Sequence, residues 1–95
     1  MEMEELEQEA TILRLLHLEV HCSAVVESVE AGLFGEIFLR RLEAMGLVPG
    51  KEVRVLRRAW FGGPLVVRIG MTTEVAIRRA EAHLVRIRRP LVPAE

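Results

Sequence analysis

Three side chains near the start of the chain have the types and the spacing of a metal site. His17, His21 and Cys22 form the pattern H-x3-H-C. On a continuous helix, two histidines four residues apart share one face at the separation that a metal ion needs. A closed structural zinc site takes four ligands, and the only remaining soft ligand is His83, far along the chain. We therefore expect no metal and no cofactor, with His17 and His21 as the alternative metal ligands.

The chain offers few residues for catalysis. It contains no Asp, no Walker loop, no G-x-S-x-G element and no pair of carboxylates that would flank a cleft. A nucleophile would have to be Cys22 with His21 as its base. Neighbouring side chains of a strand point to opposite faces, so these two could not share a proton there. We expect a protein without enzymatic activity.

Two segments carry large apolar side chains next to glycines. In one segment a Trp-Phe pair precedes two glycines, and in the other a Leu-Phe pair lies between two glycines. The core of a small domain does not readily bury all four of these large side chains. Exposed aromatic side chains are effective anchors for a partner. The alternative is that the Trp-Phe pair caps one end of the fold. The predicted partner-binding residues are Trp60, Phe61, Pro64, Leu33 and Phe34.

Charge is unevenly distributed along the chain. Residues 1–50 carry 3 Arg and 10 Glu, whereas residues 51–95 carry one Lys and 9 Arg with 4 Glu. A basic half could contact nucleic acid, but single-strand sites also need stacking aromatics, and the formal net charge is -1. We expect the acidic half to neutralise the basic half, and no nucleic acid to bind. The arginines of the alternative nucleic-acid surface are Arg57, Arg58, Arg86, Arg88 and Arg89.

The composition predicts a single cytoplasmic domain. The 95 residues are 51% hydrophobic and 28% charged, which is typical of one folded unit. No run of about 18 apolar residues occurs that could cross a bilayer, so we expect no membrane insertion. The single cysteine cannot form an internal disulfide, in agreement with a reducing compartment. Association between copies of the chain is left open.

The first half of the chain predicts one strand and one or two helices. From Met1 to about Leu18, helical spacing with early glutamates predicts a short acidic amphipathic helix, although Ile12–Leu18 would also serve as an extended arm. β-Branched residues predict a first strand from about residue 20 to Val29. Residues 36–45 predict a helix, with Phe38, Leu42 and Met45 on its buried stripe and Gly46 as its stop.

The second half of the chain predicts strands. Val48–Lys51 fits a type II turn, with Pro at its second and Gly at its third position. Alternating apolar residues then predict strands near 52–60, 65–71, 74–79 and 84–89, with a single helical turn over 79–82. Five short strands with one helix inserted after the first predict a mainly β fold, a small SH3-like barrel.

Several segments of the chain resemble a known family. They are RRLEAMGLVPG at residues 40–50, V-x-VLR at 53–57, FGGPL-x-VR at 61–68 and VAIRR-x-EA at 75–82. Together they resemble the FeoA family of ferrous-iron-transport accessory proteins, over roughly residues 20–90. The family has a short leader with a Pro-Gly turn where this chain has its acidic stretch. We therefore expect three parts, which are an acidic extension (1–18) that departs from the family, a FeoA-like barrel (19–90) that the resemblance implies, and a C-terminal tail (91–95).

The resemblance also implies a function. Members of the family are expected to be cytoplasmic SH3-like barrels that promote ferrous iron uptake. They are expected to contact a membrane iron permease that carries a GTPase domain. It is not known as an iron carrier, and the related fold occurs as the C-terminal domain of DtxR-type iron-dependent repressors. The alternatives from the residues themselves are a metal-binding regulator or chaperone and a small nucleic-acid-binding barrel.

Overall fold

The computed structural model describes residues 11–89, and six strands in this part of the chain form one sheet. The sheet order is β1-β6-β2-β3-β4-β5, and every neighbouring pair is antiparallel. Two register shifts, between Val26 and Ser28 and between Val55 and Arg57, mark bulges that bend the sheet. The strands are β1 Thr11–Arg14, β2 Ser23–Val29, β3 Glu52–Arg58, β4 Leu65–Ile69, β5 Thr73–Ile77 and β6 Val85–Arg89.

The helices lie between strands, as the sequence predicts. Helix α1, Gly35–Ala44, follows β2, and the single turn α2, Arg79–Ala82, connects β5 with β6. Two 3₁₀ turns, Leu15–His17 and Gly32–Phe34, complete the described elements. The mainly β prediction with one inserted helix is confirmed, with six strands rather than about five because β1 joins the sheet.

The start of the described chain differs from the predicted helix. β1 pairs with β6, with Thr11 opposite Arg89, and Leu15 and Leu18 behind it are fully buried in the core. The helix predicted to reach Leu18 is therefore wrong over residues 11–18, and the extended alternative holds for β1. Pairing with the outer edge of β6 and burial of two leucines outweigh a weak local helix preference. Residues 1–10, the rest of that prediction, lie outside the described residues.

Ion pairs attach β1 to the neighbouring strands. Nη1 of Arg14 donates to Oε1 of Glu30 at 3.0 Å, and Arg86 approaches the other carboxylate oxygen of Glu30 at 3.1 Å. The hydrogen bond from Arg14, together with the charges of Arg14 and Arg86, holds the pKa of Glu30 below its usual range. The carboxylate of Glu30 is therefore ionised at neutral pH. In this form it bridges Arg14 of β1 and Arg86 of β6.

Helix α1 ends at the predicted glycine and leads into the predicted turn. Gly46 has φ +96°, a left-handed conformation that side chains rarely adopt. Lys51 N donates to Val48 O at 3.1 Å, and Gly50 at the third turn position has φ +92°. Gly50 N also donates to Val26 O at 2.9 Å, which fixes the turn against β2. The Pro-Gly element therefore aligns β3 for pairing with β2.

The core lies between α1 and one face of the bent sheet. The predicted stripe of α1 is confirmed, since Phe38 and Leu42 are buried and Met45 packs half-buried against the cluster. The strand alternation is confirmed as well, apart from Met71, which is exposed because β4 ends at Ile69. The strand side chains that are buried include Val53, Val55, Leu65, Val67, Ile69, Ile77, Val85 and Ile87.

We predict that Leu42→Ala lowers the free energy of unfolding by about 2 to 5 kcal/mol, because it removes buried methyl groups and leaves a cavity. Urea unfolding followed by circular dichroism measures the change. The matched control is Glu43→Ala, at the neighbouring exposed position of α1. Equal unfolding free energies for the two variants would contradict the position of Leu42 in the core.

Candidate partner-binding surface

The connection between β3 and β4, residues 59–64, forms a tight turn that we name the hairpin tip. Gly63 N donates to Trp60 O at 3.2 Å, and Ala59 N donates to Pro64 O at 3.0 Å. The two central residues, Phe61 and Gly62, have φ +57° and +77°. Positive φ at both positions is the feature of type I′ turns, whose twist matches that of the flanking strands. Two backbone hydrogen bonds and a type I′ conformation therefore define the hairpin tip.

Both aromatic rings of the hairpin tip are exposed. Trp60 is 85% exposed and Phe61 is fully exposed, and Pro64 beside them also faces solvent. The alternative in which the pair caps one end of the barrel is therefore wrong. Within residues 11–89 this aromatic pair has little burial, which is the property expected of anchors for another molecule.

A second apolar surface lies where the chain enters α1. Leu33 is fully exposed and Ile37, four residues later, is 83% exposed. Phe34 is partly exposed, and its ring centre lies 5.1 Å from that of Phe38, which ties the loop to the core. We name Leu33, Phe34 and Ile37 the α1 patch. The sequence analysis did not name Ile37 as a candidate partner-binding residue. Its position outside the stripe of Phe38 and Leu42 indicates that its side chain is exposed.

Side chains at the start of α2 and just after its end lie beside the two predicted loops. A Cβ atom at Gly62 would lie 3.9 Å from Cδ of Arg79, at the start of α2. A Cβ atom at Gly32 would lie only 2.8 Å from Cδ1 of Leu84, just after α2. The hairpin tip and the loop before α1 therefore border opposite ends of one short helix, and glycine at position 32 permits the close approach.

A buried carboxylate connects α1 with α2. Glu81 is buried, forms an ion pair with Arg41 of α1 and accepts a hydrogen bond from the backbone N–H of Arg78 at 3.1 Å. The guanidinium of Arg41 in turn lies 5.9 Å from the centre of the Phe38 ring. Glu81 joins the start of α2 to the side of α1. It therefore helps to fix where the hairpin tip and the α1 patch lie relative to these two helices.

The arginines of β6 face glutamates of the acidic half of the chain. Arg88 lies 3.4 Å from Glu27, and Arg89 lies 3.7 Å from Glu19. Arg86 contacts Glu30, as described above. Along β6, glutamates of the acidic half of the chain therefore neutralise arginines of the basic half, as the sequence predicts. Arg58 donates to the carbonyl oxygen of Leu18, so it too has a role within the fold.

The histidines do not share a helix. His17 ends a 3₁₀ turn, and His21 has φ +70° in the turn before β2, with its N–H donating to Val55 O at 2.7 Å. The helical geometry that would bring both imidazoles to one face is therefore absent. Cys22 lies beside Glu19, with Sγ 3.7 Å from Oε1. Within residues 11–89, no three His, Cys, Asp or Glu side chains are arranged to hold a metal ion.

The fold and the surface define a small β barrel that presents apolar side chains on loops around a short helix. Residues 13–89 match the FeoA domain. The chain belongs to the FeoA family, as its sequence motifs indicate. No curated protein gives a significant match. No helix in the described part of the chain is both long and apolar enough to cross a membrane.

Solved structures confirm the SH3-like fold. The crystal structure of Stenotrophomonas maltophilia FeoA complexed with zinc is 39% identical, covers 79% of this chain and 88% of its own, and has a TM-score of 0.69. It is described as a procaryotic SH3 domain protein and a candidate activating factor of bacterial ferrous iron transport. The solution structure of Chlorobium tepidum FeoA is 32% identical, covers 87% of this chain and 74% of its own, and has a TM-score of 0.71.

One similar structure belongs to a regulator. A manganese-dependent transcriptional repressor is 20% identical, with a TM-score of 0.73 over 86% of this chain and 43% of the repressor. At this identity the likeness shows the fold alone. It agrees with the expectation that the same barrel occurs as a domain of metal-dependent repressors.

We predict that isothermal titration of the isolated monomer with Fe(II) or Zn(II) gives no tight one-to-one binding. The reason is that His17 and His21 lie in two different turns and no third ligand joins them in the described residues. A stoichiometric site that disappears in His17→Ala or His21→Ala would contradict this and favour the metal-binding alternative.

We predict that Glu81→Ala lowers the free energy of unfolding by about 1 to 3 kcal/mol, because Arg41 and the N–H of Arg78 lose a buried charged acceptor. Thermal and urea unfolding measure the effect. The matched control is Glu74→Ala, which removes an exposed pair with Arg68 at 3.4 Å and should cost less than about 1 kcal/mol. Equal losses in the two variants would show that burial of Glu81 is unimportant.

Proposed function

We propose that this protein is a cytoplasmic accessory factor that promotes ferrous iron uptake by contacting a membrane iron permease and its GTPase domain. Membership of the FeoA family supports the link to ferrous iron transport. The single observation that supports action by contact is the pair of exposed apolar surfaces, the hairpin tip and the α1 patch, at the two ends of α2. The activity is binding rather than catalysis.

The exposed side chains are suited to a protein interface. Covering Trp60, Phe61, Leu33 and Ile37 would remove apolar surface from water, which favours association. Aromatic side chains held near the centre of an interface supply a large share of its binding energy. Loops on a rigid barrel also offer these side chains without a large cost of ordering.

Promotion of transport requires more than binding. An accessory protein shifts a permease toward an open or GTP-bound state only when it binds that state more tightly than the other. Two surfaces joined through α2 can provide such a difference, since a partner conformation that reaches both surfaces gains more contact than one that reaches a single surface. The proposed partner-binding residues are Trp60, Phe61, Pro64, Leu33 and Phe34, and we add Ile37 because it is exposed beside Leu33 and Phe34.

We predict that Trp60→Ala weakens binding to the intact permease by about 2 kcal/mol or more, roughly 30-fold, because it removes an exposed anchor. Isothermal titration with the permease in nanodiscs of zwitterionic lipid measures the affinity. Met71→Ala is the matched control, since Met71 is 89% exposed in a turn at the other end of β4. Melting temperatures of both variants should remain near that of the wild type.

The opposite pattern would contradict the proposal. A Trp60→Ala variant with a lower melting temperature and unchanged affinity would make Trp60 a structural residue. The docking surface would then lie elsewhere on the barrel.

A further inference from the structure

Phe61 combines two features that disfavour the folded state. Its backbone has φ +57°, a left-handed conformation that is an outlier for a bulky side chain. Its ring is fully exposed, so no packing within the described chain compensates for that conformation. Asn or Gly would adopt the same turn at lower cost, as they do in most type I′ hairpins. The phenyl ring at this position therefore contributes nothing visible to the fold, which points to contact with another molecule.

Three exposed arginines lie on the elements that adjoin the hairpin tip. Arg57 at the end of β3 and Arg78 and Arg79 at the start of α2 are exposed, and residues 57–64 contain no acidic side chain. Gly62 leaves room for the stem of Arg79, whose Cδ would lie 3.9 Å from a Cβ at that position. None of the three arginines takes part in the ion pairs formed within residues 11–89. We name Arg57, Arg78 and Arg79 the tip arginines.

The tip arginines contrast with the arginines of β1 and β6. Arg86, Arg88 and Arg89 on β6 and Arg14 on β1 all contact glutamates. The acidic half of the chain thus neutralises one side of the barrel and leaves positive charge beside the exposed aromatic pair. An interface is favoured when its partner presents the opposite charge around a matching apolar centre.

We propose that the hairpin tip inserts Phe61 and Trp60 into an apolar pocket that is bordered by carboxylates on a protein partner. The inference rests on the proposed function and specifies it further, because it states the chemistry of the surface that the iron permease would present. The two rings fill the pocket, and the tip arginines contact its acidic border.

The features of the tip favour a protein pocket over a lipid surface. Anionic lipid is typically bound by clusters of 4 to 8 basic residues, whereas the tip has three and the whole chain has a formal net charge of -1. The turn is also closed by two backbone hydrogen bonds, from Ala59 to Pro64 and from Gly63 to Trp60. A fixed arrangement of two rings matches a shaped cavity, and the fluid boundary of a bilayer requires no such arrangement.

The test uses the full chain and the intact permease in nanodiscs of zwitterionic lipid. Phe61→Asn should weaken binding by roughly tenfold or more while leaving the melting temperature unchanged or higher, because Asn accepts positive φ. Arg79→Glu should weaken binding, and the wild-type affinity should fall as sodium chloride is raised. Arg54→Glu is the matched charge control, at an exposed position within β3. It should bind like the wild type.

A second measurement reports directly on the tip. Trp60 is the only tryptophan of the chain, so 5-fluorotryptophan labelling gives one ¹⁹F resonance that should shift when the permease binds. Vesicles containing phosphatidylglycerol, tested without the permease, should leave that resonance unchanged.

The outcomes separate the inference from the proposed function. Wild-type binding that Phe61→Asn does not weaken, or equal binding of Arg79→Glu and Arg54→Glu, would overturn the inference and leave the proposed function in place. A wild-type chain that does not bind the permease would overturn both. Binding to the phosphatidylglycerol vesicles that depends on Phe61 would replace the protein pocket with a lipid surface.

Discussion

The ion pair between the buried Glu81 and the half-exposed Arg41 is the interaction on which the exposed surface depends. Glu81 is the one charged side chain that is buried in the described part of the chain, and a buried carboxylate without a partner is strongly destabilising. Its two partners lie on different elements, Arg41 on α1 and the N–H of Arg78 at the start of α2. The need to pair the buried carboxylate of Glu81 therefore helps to fix the position of α2, the single turn that connects β5 with β6. That turn lies next to the hairpin tip and to the loop before α1. The positions of the exposed residues on these loops therefore depend on Glu81, a buried residue that would not itself contact a partner.

Sequence patterns predicted the parts of the fold that local periodicity determines. The alternation of Val53 with Arg54 and the stripe of Phe38 and Leu42 reflect which side chains face the core, and the structure places them so. Gly46 and Gly50 were identified because the positive φ of each is a local requirement. The resemblance to the FeoA family rested on these same segments.

What the sequence did not predict depends on contacts between distant residues. β1 forms because the edge of β6, more than 70 residues away, offers a partner, and local helical spacing carries no information about that edge. The pair of Arg41 and Glu81 joins residues 40 positions apart. The exposure of Ile37 follows from how α1 packs, and the positive φ of Phe61 follows from the twist of two paired strands. The partner-binding residues could be proposed from composition, but their relation to α2 required the fold.

The barrel core and the hairpin tip differ in how well their side chains fit their surroundings. In the core, apolar side chains such as Leu15, Val53 and Ile87 are fully buried against one another. At the hairpin tip the relation is reversed, since Phe61 occupies a backbone conformation and an environment that both disfavour it. A turn closed by its own hydrogen bonds tolerates this cost, because its geometry does not depend on the side chain that it carries. The same rigidity would reduce the entropy lost on association, so Phe61 would be an already positioned anchor in the complex that we propose.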